Sequence, residues 1–203
     1  MNFESRSMFL YHVVIATIVA FFANSTLTFA QDNPYPQWQL DNKYDQKLAE
    51  FVPISKYRIR PPKEYEKRVS SNAPSGATVV TWTGKRRLDG TAAMIQVMII
   101  KFPPNETISN SSVLMEKMLR GIKARRSSWE QSLNVSGKIG ELKFDRVEWN
   151  GTHTEKGEKM YGIVFTAVDR ETAVVIETQD ISPHHTDALL LGTSAALTFS
   201  RNQ

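Results

Sequence analysis

Three segments of this 203-residue chain are apolar on both of the faces that a β-strand presents, and this feature constrains the fold more than any other. They span 93–102 (AMIQVMIIKF), 160–168 (MYGIVFTAV) and 173–178 (AVVIET). Because successive side chains of a strand point to opposite faces, a strand with one face in solvent alternates apolar and polar residues. These segments do not alternate, so they predict a sheet that is covered on both sides.

Two segments with helical patterning are available to cover that sheet. Apolar residues in the segment 113–129 recur at the three-, four- and seven-residue spacings of one helix face, which predicts a helix from Val113 to Trp129. A second helix is predicted from Ser182-Pro183, with Ser182 as N-cap and Pro183 in the first turn, to about Phe199. The simplest arrangement is an antiparallel sheet between helices, an α/β/α sandwich in the α+β class.

Further strands are predicted on either side of the first helix. The segments 56–60 and 78–83 are short strands, and the second forms a hairpin with 93–102 through a loop that contains Asp89-Gly90. The segment 141–149 also alternates, but its apolar phase changes near Asp145-Arg146, which predicts a β-bulge there. Asn150-Gly151 is predicted to open the following turn.

The N-terminus has the pattern of an export signal. Residues 9–23 form a short apolar run, and small residues precede a predicted cleavage site after Ala30. The run is shorter than the roughly 20 residues that span a bilayer, so a cleaved signal peptide at 1–30 is favoured over an uncleaved anchor. Residues 31–50 are predicted to be a polar arm or linker, and 51–203 a single domain. We therefore expect a secreted or periplasmic protein.

The absence of cysteine excludes several function classes. The chain has no thiol for a disulfide framework, a thiolate metal site, a cysteine nucleophile or a lipid-modified cysteine anchor. The predicted domain is large enough to bury most of its apolar surface without such cross-links. We expect its stability to depend on its sheet and helices alone.

The order of the predicted elements resembles that of the PsbP-like family, which includes the extrinsic PsbP protein of photosystem II, a Ran-binding import factor and exported bacterial proteins. The resemblance covers about residues 50–200 and implies an α/β/α sandwich and a non-catalytic accessory or binding module. It carries no functional residue to this chain. The segments behind it are YRIRPP at 57–62, VTWTG at 80–84, the helix at 111–129, GELKFDRVEWNG at 140–151, MYGIVFTAV at 160–168 and the helix at 182–199.

The net charge of +4 conceals a strongly uneven distribution. Residues 55–126 contain fifteen Lys or Arg against five Asp or Glu, whereas residues 127–203 contain seven against eleven. If the basic clusters converge, they form a surface that attracts anions, and otherwise they are solvated charges that keep the protein soluble. The predicted anion-binding residues are Arg58, Arg60, Lys85, Arg86, Arg87, Lys117, Arg120 and Lys123.

Neither a catalytic nor a cofactor site is predicted. The chain lacks the nucleophile-elbow, S-x-x-K, Walker and G-x-G-x-x-G motifs. His184-His185 is the only histidine cluster, but adjacent helical residues point about 100° apart, so no metal site is predicted. Recognition helices and stacking aromatics are also missing, which argues against nucleic acid as a partner. Sequons at Asn105, Asn110, Asn134 and Asn150 fall in predicted loops.

These observations favour an exported, non-enzymatic binding or accessory protein with an unidentified protein or anionic partner. Two alternatives stay open. One is a hydrolase or metal-dependent enzyme whose polar residues come together only in the folded protein. The other is a peripheral envelope protein that binds anionic membrane surfaces through the basic half of the chain.

Overall fold

The computed structural model describes residues 35–70, 76–102 and 110–202. All of these residues belong to one compact unit that begins at Tyr35. The predicted signal peptide, its cleavage site after Ala30 and the sequon at Asn105 lie outside the described residues.

Eleven strands and three helices are present in the described ranges. The strands are β1 (Val52–Ile54), β2 (Tyr57–Ile59), β3 (Glu66–Val69), β4 (Ala77–Thr83), β5 (Met94–Lys101), β6 (Arg126–Gln131), β7 (Val135–Ile139), β8 (Leu142–His153), β9 (Lys159–Asp169), β10 (Thr172–Ile181) and β11 (Ser200–Arg201). The helices are α1 (Asn42–Asp45), α2 (Ser111–Lys123) and α3 (His185–Leu197).

The main sheet is antiparallel throughout, as the sequence predicts. Its strands run in the order β3-β4-β5-β10-β9-β8-β6, and β7 pairs with β8. The three apolar segments form its centre: Ile176 of β10 lies opposite Val97 of β5 on one side and Phe165 of β9 on the other. A smaller antiparallel sheet has the order β1-β2-β11.

The central strands bury side chains in two separate clusters, because their successive residues alternate between the two faces. The α3-side cluster contains Val97, Ile99, Phe165, Val174 and Ile176 together with Ala195 and Ala196 of α3. The α2-side cluster contains Val164 and Val175 together with Leu114, Met115, Leu119 and Ile122 of α2. These memberships explain why the central strands lack polar positions.

The predicted bulge near Asp145-Arg146 is wrong. Strand β8 pairs with β9 in continuous register from Asp145 to Thr152. Phe144 belongs to the α3-side cluster, whereas Val147 belongs to the α2-side cluster. The change of phase therefore arises because the two halves of one regular strand bury opposite faces. The irregularity lies instead in β6, between Ser127 and Glu130.

The first long helix is shorter than its apolar pattern predicts. Helix α2 ends at Lys123, and Trp129 lies in β6, where its ring stacks on Trp149 with the centroids 5.4 Å apart. Serine is a poor helix former, and both 127 and 128 are serine. The stacking of Trp129 on Trp149 across neighbouring strands is therefore more favourable in free energy than a longer helix.

Two predicted local signals also differ from the structure. Helix α3 begins at His185, and its N-cap, His184, makes no side-chain capping bond. The N-cap is therefore His184 and not the predicted Ser182, and the Ser182-Pro183 peptide bond is cis. Asn150 lies within β8 opposite Tyr161, and the turn follows that strand. The Asn150 sequon therefore lies in a strand.

The segment that the sequence assigns to an arm contributes to the domain from Tyr35 onward. Trp38 donates its backbone N–H to the Lys138 carbonyl at 2.9 Å, and its indole covers Gly137. Leu48 is only 1% exposed and belongs to the α3-side cluster. Burial of this kind is typical of a domain, not of a free linker.

Candidate functional site

Two of the eight predicted anion-binding residues are used to hold the smaller sheet in place. Arg60 forms an ion pair with Asp45 at the end of α1. Arg58 donates from Nε to the Ser200 hydroxyl at 3.2 Å, and its guanidinium lies 4.5 Å from the centre of the Phe51 ring. These contacts give both arginines a structural role that their position in a basic cluster did not indicate.

Arg87 is also paired within the protein. Its two terminal nitrogens donate to both carboxylate oxygens of Asp180, at 2.8 and 2.5 Å. The Asp180 side chain is fully buried, and one of its oxygens also accepts the Ile181 backbone N–H at 2.8 Å. The hydrogen bond to Asp180 raises the pKa of Arg87, so the guanidinium stays charged. Arg86, its neighbour in the loop, is exposed.

The last three of the eight predicted anion-binding residues lie on the exposed side of α2. Lys117, Arg120 and Lys123 are exposed, and none has a carboxylate within ion-pair distance in the described part of the chain. We call these three residues the α2 basic face. Glu116, which directly precedes Lys117, is the one acid of α2, and it is exposed. The face therefore keeps an excess of positive charge available to a partner.

Helix α2 is fixed to the sheet by a buried carboxylate. Asp145 of β8 is 1% exposed and accepts hydrogen bonds from the hydroxyls of Ser111 at 2.5 Å, Ser112 at 3.0 Å and Ser136 at 2.5 Å. Burial alone would raise the pKa of Asp145, but these three hydrogen bonds outweigh it and the pKa is lowered. The carboxylate is thus ionised at the N-terminus of the helix, where negative charge is favourable.

Lys85 and Arg87 line an open cleft of about 630 Å³ between the β4–β5 loop and the first turns of α3. Its other lining residues come from the same loop and from three further segments of the chain. They are Lys47, Tyr65, Gly84, Ala93, Pro183, His184, Thr186, Asp187, Ala188 and Leu191. Sequence analysis missed Lys47 and Tyr65, because neither lies in a basic cluster or a recognisable motif. Only the fold brings them beside Lys85.

Tyr65 forms one wall of this cleft. Its ring packs against Gly84, where an added Cβ atom would lie 3.1 Å from Cε1 of the ring. Burial is the main cause that raises the pKa of Tyr65 to about 12, the nearby Asp180 carboxylate adds to it, and Arg87 opposes it. The phenol is therefore neutral at physiological pH and can donate a hydrogen bond into the cleft.

The two histidines at the start of α3 have different environments. His184 lines the cleft, whereas the His185 ring stacks on Tyr161 with 3.7 Å between the centroids. Burial lowers the pKa of His185. Within 35–70, 76–102 and 110–202, no group of three His, Asp or Glu side chains is placed to hold a metal ion. In the same ranges, no hydrogen bond joins a histidine ring to a hydroxyl or a carboxylate.

The structure thus distributes the eight predicted residues over three places. Arg58 and Arg60 belong to the smaller sheet, the residues at 85–87 lie in or next to the cleft, and the other three form the α2 basic face. The cleft lies beside α3, while α2 packs on the other cluster. Among the described residues, no helix has the length and hydropathy needed to cross a bilayer.

Comparison with known proteins finds similarity in structure. No protein-family model and no curated protein matches the chain. The solution structure of cyanobacterial PsbP (CyanoP) from Synechocystis sp. PCC 6803 matches it with a TM-score of 0.57 and 10% identity, over 75% of this chain and 92% of that chain. The crystal structure of the Saccharomyces cerevisiae Ran-binding protein Mog1p matches with a TM-score of 0.49 and 14% identity, over 75% and 94%. At sequence identities this low, the similarity shows a shared fold and gives no information about a functional site. The chain has the PsbP-like fold, as the order of its predicted elements implied.

Proposed function

We propose that this chain is an exported, non-enzymatic accessory protein that docks on an acidic protein partner through the α2 basic face. The observation that carries the proposal is the set of three exposed cations, Lys117, Arg120 and Lys123, without carboxylate partners in the described ranges. The PsbP-like resemblance supports an accessory role. Export rests on the predicted signal peptide at 1–30 and its cleavage after Ala30.

The setting of α2 favours a docking surface over mobile, solvated charge. The helix is held at its N-terminus by Asp145, and its apolar side is buried in the α2-side cluster. We infer that α2 and α3 are the two outer layers of an α/β/α sandwich, with α2 presenting its cations outward. Cations on a fixed element lose less entropy on binding than cations on a flexible loop.

An acidic protein fits this face better than a membrane does. Helices that bind membrane surfaces insert an apolar face between lipids, but the apolar face of α2 is already covered. Purely electrostatic attraction to an anionic membrane contributes about 1 kcal/mol per cation, which leaves three cations with weak binding. A protein partner can add hydrogen bonds and apolar contacts to the same charges.

The proposal can be tested with a defined acidic polypeptide and a matched pair of variants. Binding of fluorescent poly-glutamate is measured for the parent protein and for a triple variant, Lys117→Gln, Arg120→Gln and Lys123→Gln. A control triple variant, Lys63→Gln, Lys67→Gln and Arg68→Gln, removes the same charge from exposed positions elsewhere. We expect salt-sensitive binding that the first variant loses and the control retains.

A photo-crosslinking residue at Gly121 tests the face in cells that export the protein. Gly121 lies on α2, and an added Cβ there meets nothing within 4 Å, so the side chain can be replaced without disturbing the helix. We expect a crosslinked product that disappears in the α2 triple variant. Equal losses in both triple variants, or binding to phosphatidylserine vesicles in preference to poly-glutamate, would contradict the proposal.

A further inference from the structure

We propose that the cleft between the β4–β5 loop and α3 is a binding site for a small organic monoanion with an apolar body. The cleft has a volume of about 630 Å³, which is in the range of sites that hold small-molecule ligands. Nothing in the proposed docking on the α2 basic face requires this site, because α2 contributes no residue to it.

The charges around the cleft leave one positive charge in excess. Lys47, Lys85 and Arg87 are its cations, and Asp187 is an acid on its wall. Arg87 is bound by both of its terminal nitrogens to the buried Asp180 carboxylate, which offsets its charge. With histidine counted as neutral, three cations face two carboxylates. The site is therefore matched to a ligand with a single negative charge.

Both lysines project from backbone that the fold holds in place. The Lys47 carbonyl accepts the Lys63 backbone N–H at 3.0 Å, and the carbonyl of Ala49, two residues further on, accepts a hydrogen bond from Arg60 Nε. Lys85 follows Gly84, whose backbone N–H donates to the Ala93 carbonyl at 2.9 Å. Lys47 and Lys85 thus both bring positive charge to the cleft from backbone that loses little entropy when a ligand binds.

The remaining walls suit an uncharged ligand body. Ala93 and Leu191 supply apolar surface, and Ala188 is small enough to leave room above the helix. Tyr65 and Thr186 supply hydroxyl groups. A short aliphatic carboxylate combines these features, since its charged end meets the lysines and its chain covers the apolar wall. Inorganic phosphate supplies only the charge.

The test is a titration of the isotope-labelled protein by NMR with three probes: hexanoate, 1-hexanol and inorganic phosphate. We expect hexanoate to shift the backbone amides of residues that line the cleft, with saturation at one site. 1-Hexanol and phosphate should each bind at least about tenfold more weakly, because each lacks one of the two contacts. If phosphate binds as tightly as hexanoate, the proposal that the site holds an apolar ligand body is overturned. If 1-hexanol binds as tightly as hexanoate, the proposal that the site selects a negative charge is overturned.

Variants assign the binding to these lysines. Lys47→Met and Lys85→Met keep the aliphatic stems and remove the charges, and each should weaken hexanoate about tenfold. Lys101→Met, at the far end of β5, removes a charge outside the cleft and should change nothing. The α2 triple variant should bind hexanoate like the parent protein, which separates this proposal from the docking function. Absence of hexanoate binding, or equal effects of all three methionine variants, would refute the site.

Discussion

A methyl group added at Gly192 tests how tightly α3 packs on the main sheet. Gly192 is buried where α3 lies over β10, and an added Cβ would lie 2.0 Å from the Thr178 hydroxyl oxygen and 2.6 Å from the Thr178 Cβ. Ordinary contacts begin near 3.4 Å. In Gly192→Ala, the helix and strand must therefore move apart by about 1.4 Å along the line between the methyl and the hydroxyl. Movement of that size disturbs the packing of the whole helix.

Two opposing effects determine the size of the change. Alanine is more favourable than glycine in a helix interior by about 1 kcal/mol. Overpacking a filled interface costs about 1–3 kcal/mol, and the Gly192 contact lies at the upper end because Thr178 is only 2% exposed. We expect a net loss of about 2 kcal/mol. In a domain of this size, such a loss lowers the melting temperature by about 4–8 °C.

The measurement is thermal and urea unfolding of Gly192→Ala beside the control Gly121→Ala. An added Cβ at Gly121 meets nothing within 4 Å, so that variant shows the helix-propensity gain alone, about 0.5–1 kcal/mol. Thr178→Ala removes the hydroxyl and one methyl, so in the Gly192→Ala background it should recover part of the loss. If Gly192→Ala is as stable as Gly121→Ala, the close approach of α3 to β10 is refuted.

Two further predictions concern buried carboxylates. Burial opposes ionisation of Asp145 and Asp169, but the pKa of each is lowered, at Asp145 chiefly by hydrogen bonds and at Asp169 by the Tyr57 hydrogen bond together with the charges of Lys56 and Arg201. Each carboxylate therefore stabilises the folded state at neutral pH and loses that contribution as the pH falls below about 4. The free energy of unfolding should therefore fall steeply in acid, and Asp145→Asn should flatten that slope; an unchanged slope would be contrary to expectation. Arg87→Met should cost about 3 kcal/mol in urea unfolding because it leaves Asp180 buried and unpaired, and the added change Asp180→Leu should recover most of it. A double variant as unstable as Arg87→Met alone would contradict that pairing.

The sequence was sufficient for the antiparallel sheet and the PsbP-like fold because the apolar pattern of the central strands admits few arrangements. Consecutive apolar residues such as those at 97–100 require cover on both faces, and the two clusters at this position supply it. The same pattern was insufficient for β8, where Phe144 and Val147 bury opposite faces of one straight strand. The alternation of apolar and polar residues in so short a segment cannot distinguish a β-bulge from a regular strand whose two halves bury opposite faces.

Element ends depended on contacts that are distant in sequence. Trp129 has the correct spacing for the buried face of α2, yet it stacks on Trp149 from a neighbouring strand. Leu48 lies in a polar segment, yet it fills a space in the α3-side cluster. Neither contact is visible in local periodicity, because each depends on where a partner more than ten residues away is placed.

Charge patterning located the basic half of the chain but could not separate its roles. Arg60 and Arg87 belong to dense basic clusters, and both are neutralised by acids distant from those clusters, Asp45 and Asp180. A cation that already holds a carboxylate has little left to offer a partner, since a new contact must compete with the old one. By this reasoning, binding by this chain depends on cations whose nearest acids are not folded against them. Lys85 in the cleft and Lys117 on α2 are two of the described cations that meet that condition, and they lie in two different settings. Two separate sites with different ligands, one small and one macromolecular, follow from that distribution more directly than one continuous basic patch.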